Sequence, residues 1–380
     1  MPSRLSRVNR LDDLRAVAAS LVFACHASLL WVASHGGSVD SGLFYIGRFG
    51  VAIFFVVSGL VIYRPFVQAR WSDRKPDLWA YAVRRVLRIV PAYWIALAFF
   101  VVLFPREVQP LATGNPGLFA GFAQIYSPAN YYRALPVAWT LDVEVCFYAA
   151  APLIALGVRR LIVRGCSRNV EGLALLGLGL ASIAVRRFSP DGVIGGTIVG
   201  YGGWFAIGMA LAVLAAQPTQ LLRRIKLPPA SLWALAGVGY LLLSYHLARP
   251  IPYPNQGTLL DYCGLGLLAA LVVLTAINAH GNNATRIGKW LGDRSYGVYL
   301  WHYPILAWLA GKHLSGWHYL ADGILLTALA AHLSFILVER PLMQHASSFG
   351  RRRFAATAAQ PAAPSLERTI TDMPIAATTI

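Results

Sequence analysis

Apolar runs recur along the chain from Ala16 to Val338, separated by short polar stretches in which arginine predominates. Many of these runs approach the ~20 residues that carry a helix across the hydrocarbon core of a bilayer. Read by hydropathy, they predict ten helices, at about 15–34, 43–63, 86–104, 137–158, 171–186, 193–216, 230–248, 258–278, 295–311 and 319–338. The fifth is short, and no obvious repeat emerges on inspection. The expected fold class is all-α: a polytopic membrane helical bundle with about ten transmembrane helices.

Composition agrees with this pattern. Of 380 residues, 57% are hydrophobic and 13% charged, where a soluble domain carries roughly a quarter charged. A net charge of +17 would by itself suit a nucleic-acid binder. The charges, however, sit in clusters between apolar runs, as membrane topology requires, so the expected partner is the lipid bilayer and not nucleic acid. With the N-terminus in the cytoplasm, 26 of the 33 Arg and Lys residues fall on the cytoplasmic side and seven on or near the outer one. That asymmetry predicts that both termini are cytoplasmic.

The largest outer loop, from about Pro105 to Pro136, is rich in Pro, Gly, Asn and Tyr and is expected to cover an outward-facing cavity. Residues 1–342 read as one membrane-embedded domain. Residues 343–380, with Arg351-Arg352-Arg353 followed by an Ala/Pro/Thr-rich stretch, read as a disordered cytoplasmic tail. Arg4, Arg7 and Arg10 ahead of an apolar stretch loosely resemble a secretory signal, but the stretch from Ala16 to Val32 is longer than a signal core and reads as a span. The four cysteines show no CxxC spacing, so neither a metal site nor a disulfide framework is expected. Any chemistry must then lie inside the bundle.

Polar groups within a span are costly, which makes them the first functional candidates. His26 follows Arg15 by eleven residues. Eleven steps of about 100° close three turns, so the two share a helix face, separated by ~16 Å of rise; Asp12 lies close to that face. A permanent cation is thereby expected at the cytoplasmic edge and an imidazole near mid-membrane, although an interhelical hydrogen bond accounts for His26 equally well. Arg85 and Arg88, at the cytoplasmic entrance of the third helix, also share a face, and their planar forks suit phosphate or pyrophosphate. Topology alone also accounts for arginines there, and changes at Arg70 or Arg74 in the same loop are expected to matter little for the donor. Glu144, near the outer end of the fourth helix, is the most deeply placed carboxylate in a span. It is suited to orient His26, to bind an acceptor hydroxyl, or simply to pair with Arg48 or Arg133. The small Ser58-Gly59 pair suits a close helix contact. His302 is a further candidate, set against a structural role.

Six segments stand in order over residues 10 to 342: Leu11-Asp12-Asp13-Leu14-Arg15 followed by His26; Phe54-Phe55-Val56-Val57-Ser58-Gly59; Arg85-x-x-Arg88 running into Ile89-Val90-Pro91; Trp139 to Glu144; Ser295-Tyr296-Gly297-Val298-Tyr299-Leu300-Trp301-His302; and Glu339-Arg340-Pro341. In that order the set resembles the acyltransferase-3 family of bacterial integral membrane O-acyltransferases. The resemblance implies a ten-helix enzyme that O-acylates sugars or sugar-bearing molecules. It implies that His26 is catalytic and that Arg15, Arg85 and Arg88 are associated with the acyl donor, usually acyl-CoA. Two positions depart from the family pattern: Asp13 stands where glycine is common, and Leu60 where phenylalanine usually follows Ser58-Gly59.

Together these readings predict transfer of an acyl group, acetyl first among them, from acyl-CoA as co-substrate, with no resident cofactor. The acceptor is a hydroxyl of a cell-surface polysaccharide, a lipid-linked glycan or a secondary-metabolite glycoside. His26 and Glu144 are the expected catalytic pair, Arg15, Arg85 and Arg88 the donor site, and Ser58, Trp139 and His302 the expected substrate contacts. His26 would serve as general base or form a transient acyl-imidazole. Two other classes compete: a proton-coupled transporter or flippase using His and Glu as a relay, and a non-catalytic subunit that relays acyl groups.

Overall fold

The computed structural model describes residues 10–36, 41–72, 75–104, 115–167, 169–188, 193–216, 229–246, 258–278 and 285–346. The helices are α1 (Arg10–His35), α2 (Ser41–Trp71), α3 (Leu78–Leu103), α4 (Pro116–Ala120), α5 (Trp139–Val163), α6 (Val170–Phe188), α7 (Ile198–Ala216), α8 (Pro229–His246), α9 (Leu259–Asn278), α10 (Arg286–Asp293), α11 (Ser295–Ala310) and α12 (Gly316–Ser334). Each of the ten predicted segments coincides with one of them, and the described residues contain no strand. Among the described residues, seven helical stretches are long and apolar enough to cross a membrane, and the chain is a multi-pass membrane protein. Of the remaining predicted segments, α11 is 16 residues long, and α6 carries Glu171, Arg186 and Arg187 within its 19 residues. The tail from 347 onward and residues 105–114 of the long loop lie outside the described residues.

Several boundaries differ from the hydropathy reading, each for a local reason. α3 begins eight residues before its apolar run, because Asp77 caps it by accepting a hydrogen bond from the Ala80 amide at 2.9 Å; a short polar side chain at this position satisfies an otherwise unpaired amide. Arg85 and Arg88 are therefore held on a helix rather than at its mouth. α2 continues past its apolar run to Trp71, where Arg70 forms a largely buried ion pair with Glu171 at the start of α6. α12 passes into a π-helical turn over Phe335–Glu339, in which the buried Glu339 accepts a hydrogen bond from Ser334 at 3.0 Å.

α2 is the hub of the bundle. It packs against α1, α5, α7 and α9, and 67% of its most apolar window is buried, against 17% for α12. The α2–α7 contact is made by glycines: a Cβ on Gly59 would overlap the Phe205 carbonyl oxygen, and one on Gly208 the Val56 carbonyl oxygen. Small residues allow backbones to approach this closely. On the outside, Val102, Leu153, Phe188 and Trp317 are largely exposed, as suits side chains facing lipid.

The described part of the long loop is folded. α4 and 3₁₀ turns at Gln124–Tyr126, Pro128–Asn130 and Pro136–Ala138 bury Phe119, Ile125 and Leu135. Tyr131 donates to the Gly196 carbonyl at 2.8 Å, fastening the loop to the approach to α7. At the opposite end Asp13 accepts from the amide (3.2 Å) and hydroxyl (3.0 Å) of Thr285, the residue that caps α10. The departure at Asp13 thus clasps α1 to α10.

Candidate active site

Five helices converge on one cavity. Arg15 comes from α1, Ser58 from α2, Arg85 and Arg88 from α3, Glu144 and Tyr148 from α5, and Tyr296 and Tyr299 from α11. All three arginines singled out in the sequence share this wall, whereas the adjacent Arg84 is exposed and does not line it. Arg15 is partnered by Asp12 at 3.1 Å. The Arg85 guanidinium carbon lies 5.5 Å from the centre of the Tyr148 ring and 5.6 Å from that of Tyr81, and aromatic faces attract such a cation. Tyr296 donates to the Ile89 carbonyl at 2.8 Å, locking α11 to α3 one residue beyond Arg88. Three guanidinium groups facing one carboxylate, Glu144, give the wall an excess of positive charge, suited to a polyanion.

Glu144 accepts hydrogen bonds from Ser58 (2.6 Å) and Tyr148 (2.8 Å). The expected pairing of Glu144 with His26 is not made, nor is an ion pair with Arg48 or Arg133. Helix geometry explains this: five residues along α5 carry Glu144 about 7.5 Å beyond Trp139 and roughly 140° around the helix. Trp139 consequently lines a second cavity, while Glu144 lines the first. Tyr148 is a site residue that the sequence reading did not single out. Its signal was available, since it follows Glu144 by four positions and so shares its face.

The second, larger cavity is lined by His26, Arg48, Tyr132, Trp139, Tyr201 and Tyr303 among others. Its polar and aromatic wall includes the long loop at Tyr132 and Pro136. Trp139 packs against Tyr201 with ring centres 5.3 Å apart. Several of these rings were not anticipated; they come from helices and loops that nothing local in the sequence connects.

His302 is fully buried and belongs to the wall of neither cavity. It sits behind His26, its Nε2 3.2 Å from His26 Nδ1. A carbonyl oxygen can only accept, so the ring nitrogens beside carbonyls must carry the protons in the neutral state. His26 Nδ1 lies 3.0 Å from the Val22 carbonyl and His302 Nδ1 lies 3.1 Å from that of Val298. His302 Nε2 is then bare and accepts from His26 Nδ1–H. His26 Nε2 is left unprotonated, with no hydrogen-bond partner among the described residues.

The family model for an acyltransferase domain of the acyltransferase-3 type matches residues 8–339. The chain is similar to the putative peptidoglycan O-acetyltransferase YrhL of Bacillus subtilis, at 29% identity over 90% of this chain and 56% of that one. It is similar to the peptidoglycan O-acetyltransferase OatA of Listeria monocytogenes (26%, covering 90% and 57%) and to the O-acetyltransferase OatA of Staphylococcus aureus (25%, covering 87% and 56%). It spans little more than half the length of these relatives. No solved structure matches the chain.

Proposed function

Because the chain belongs to the acyltransferase-3 family, we propose that it is a membrane O-acyltransferase that moves an acetyl group from acetyl-CoA to a hydroxyl of a glycan. The glycan is peptidoglycan-like, following the names of its relatives. The observation that carries this reading is the pair of adjoining cavities, one walled by Arg15, Arg85 and Arg88 and the other by His26. The phosphates of the donor rest against the three guanidinium groups, whose paired in-plane donors fit phosphate oxygens. The acceptor sugar occupies the second cavity, between the rings of Trp139, Tyr201 and Tyr303. His26 Nε2 takes the proton from the acceptor hydroxyl as its oxygen attacks the thioester carbonyl. The carbon–sulfur bond then breaks, and sulfur leaves as thiolate and recovers that proton. Acceptor ester and free CoA thiol are the products, and no oxidant or reductant is consumed. A positioned base of this kind contributes ~10²–10⁴-fold. Glu144, held by Ser58 and Tyr148, acts on the donor side of the site.

The test is acyl transfer by the purified full chain in lipid, with labelled acetyl-CoA and a muropeptide-rich glycan as acceptor. Labelled acceptor is expected, with transfer abolished in His26→Ala. Label confined to the protein would indicate a relay subunit, and no transfer of label at all would exclude the reading. For the donor site, Arg88→Lys should raise the Michaelis constant for acetyl-CoA about ten- to a hundredfold, the cost of a lost charge-assisted hydrogen bond. Arg84→Lys, changed at an exposed position in the same turn, should not.

A further inference from the structure

Among its described residues, the wall of the second cavity carries a single permanent charge. Arg48, on α2, lines it together with His26 and the rings of Trp139, Tyr201 and Tyr303, and no Asp, Glu, Lys or second Arg joins them. Arg48 lies within the apolar stretch Ile46–Trp71, where a charged side chain is costly and is retained for a partner or a cavity. Arg133, in the loop above, shows the other way of placing a basic residue on this side: it is exposed and lines neither cavity.

The crossing of α1 and α2 fixes where this cation stands. Gly47 lies against Cys25, so closely that a Cβ on it would sit 2.6 Å from the Cys25 Sγ. Arg48 and His26 are the next residues of their two helices. One turn on, Gly50 lies against the Ala18 carbonyl oxygen in the same way, and Phe49 stacks on Tyr240 of α8 with ring centres 5.5 Å apart. The backbone that carries the guanidinium is therefore held on both sides, and its Nη1 is buried. Cation and imidazole issue from one helix contact into one cavity. A neutral hydroxyl does little to offset the water a guanidinium loses on burial, whereas an oxyanion offsets it well, and the planar fork matches carboxylate or phosphate oxygens in pairs.

We propose that Arg48 makes the second cavity a site for an acidic sugar: the acceptor bears a carboxylate or phosphate group, which the guanidinium grips beside the hydroxyl that His26 deprotonates. This rests on the acceptor placement proposed above and adds the acceptor's charge class to it. Arg48 takes no part in bond making; carbonyl–oxygen bond formation, carbon–sulfur cleavage and the proton's path through His26 are as already described. Its effect is on which glycans are held, and on which of their hydroxyls lies at the imidazole.

The experiment uses the full chain in lipid with acetyl-CoA and two matched pairs of acceptors. The first pair is the disaccharide of N-acetylglucosamine and N-acetylmuramic acid, with its lactyl carboxylate free or converted to the carboxamide. The second is di-N-acetylchitobiose with and without a phosphate at its reducing end. For at least one pair, kcat/KM should favour the charged member about tenfold or more, the value of a charge-assisted hydrogen bond; the pair that responds tells a sugar carboxylate from a phosphate. Arg48→Gln should bring that ratio to within twofold of unity by loss on the charged member alone, Arg48→Lys should keep part of it, and Arg133→Gln should leave it unchanged. An unsubstituted chain whose ratio lies within twofold of unity for both pairs would overturn the acidic-sugar site whether or not any variant folds, and would leave the enzyme assignment standing. Equal losses on charged and neutral acceptors in a monodisperse Arg48→Gln would also overturn it, by assigning Arg48 to the reacting oxyanion or to packing. A chain that acetylates none of the four would overturn the proposed function, and this inference with it.

Discussion

Two carbonyls, one on α1 and one on α11, set the protonation pattern of the His26–His302 pair. Val22 holds the proton on His26 Nδ1 and Val298 holds it on His302 Nδ1, which leaves His302 as an acceptor that steadies His26 from behind. His302 was expected to contact substrate; it lines neither cavity, and we propose that it acts as a positioning residue. His302→Phe keeps most of the volume and removes the acceptor. It should lower kcat about a hundredfold, within the range a well-placed base supplies, with the Michaelis constant for acetyl-CoA unchanged. His302→Gln, whose amide oxygen can accept from His26 Nδ1–H, should recover a good part of that loss. Equal losses in the two variants would reduce His302 to a packing residue. The residue scale also marks how far the sequence could be read. The eleven-residue step from Arg15 to His26 put both on one face of α1, and in the structure each lines its own cavity. The partner of His26 lay 276 positions away, and no local period points across that distance. Glu144 was legible with Tyr148, one turn on, but not with Ser58, which reaches it from α2.

At the scale of elements, the closest approach in the hub is between α2 and α7, where main chain meets main chain at Gly59 and Gly208. The motif containing Ser58-Gly59 was legible as a close helix contact because small residues permit one. The partner helix was not, since Gly208 stands in an apolar run without a distinguishing neighbour. A methyl group at either glycine would collide with a carbonyl oxygen rather than with a side chain able to turn aside. Gly59→Ala and Gly208→Ala should each destabilise the bundle by about 1–3 kcal/mol, the usual cost of overpacking. The loss would appear as a lower melting temperature in detergent and a smaller monodisperse yield. Gly172→Ala and Gly177→Ala, on α6, meet nothing within 4 Å and should be neutral or slightly stabilising, since alanine is the better helix former. If all four variants melt alike, the α2–α7 contact does not govern stability. Helix boundaries were the less legible part of the elements. Hydropathy locates apolar runs, whereas α3 starts at its polar cap, Asp77, and α2 extends to the ion pair of Arg70 with Glu171.

The whole molecule raises the question of which cavity faces the cytoplasm, where acyl-CoA is made. Arg15 stands near the start of α1 and Arg85 and Arg88 in the early turns of α3, on the side where Arg70 meets Glu171. Trp139 and Tyr132 stand at the other end, beside the long loop. We propose that the arginine cavity opens inward and the histidine cavity outward, following the bias of 26 basic residues among 33. One of the seven basic residues on the minority side, Arg186, does not count against that bias as a surface charge would. It is buried, its guanidinium carbon 4.4 Å and 4.3 Å from the centres of the Tyr201 and Tyr262 rings, and its Nε donates to the Gly200 carbonyl at 2.8 Å. Cysteine accessibility tests the orientation. Ala129→Cys places a thiol at an exposed loop position, and the native Cys166, exposed between α5 and α6, provides the opposite mark. In intact cells an impermeant maleimide should label Ala129→Cys and spare Cys166, with both labelled once the membrane is opened. The reverse pattern would put the three arginines outside the cytoplasm, out of reach of acyl-CoA, and the donor would then have to be sought among anionic compounds of the outer face.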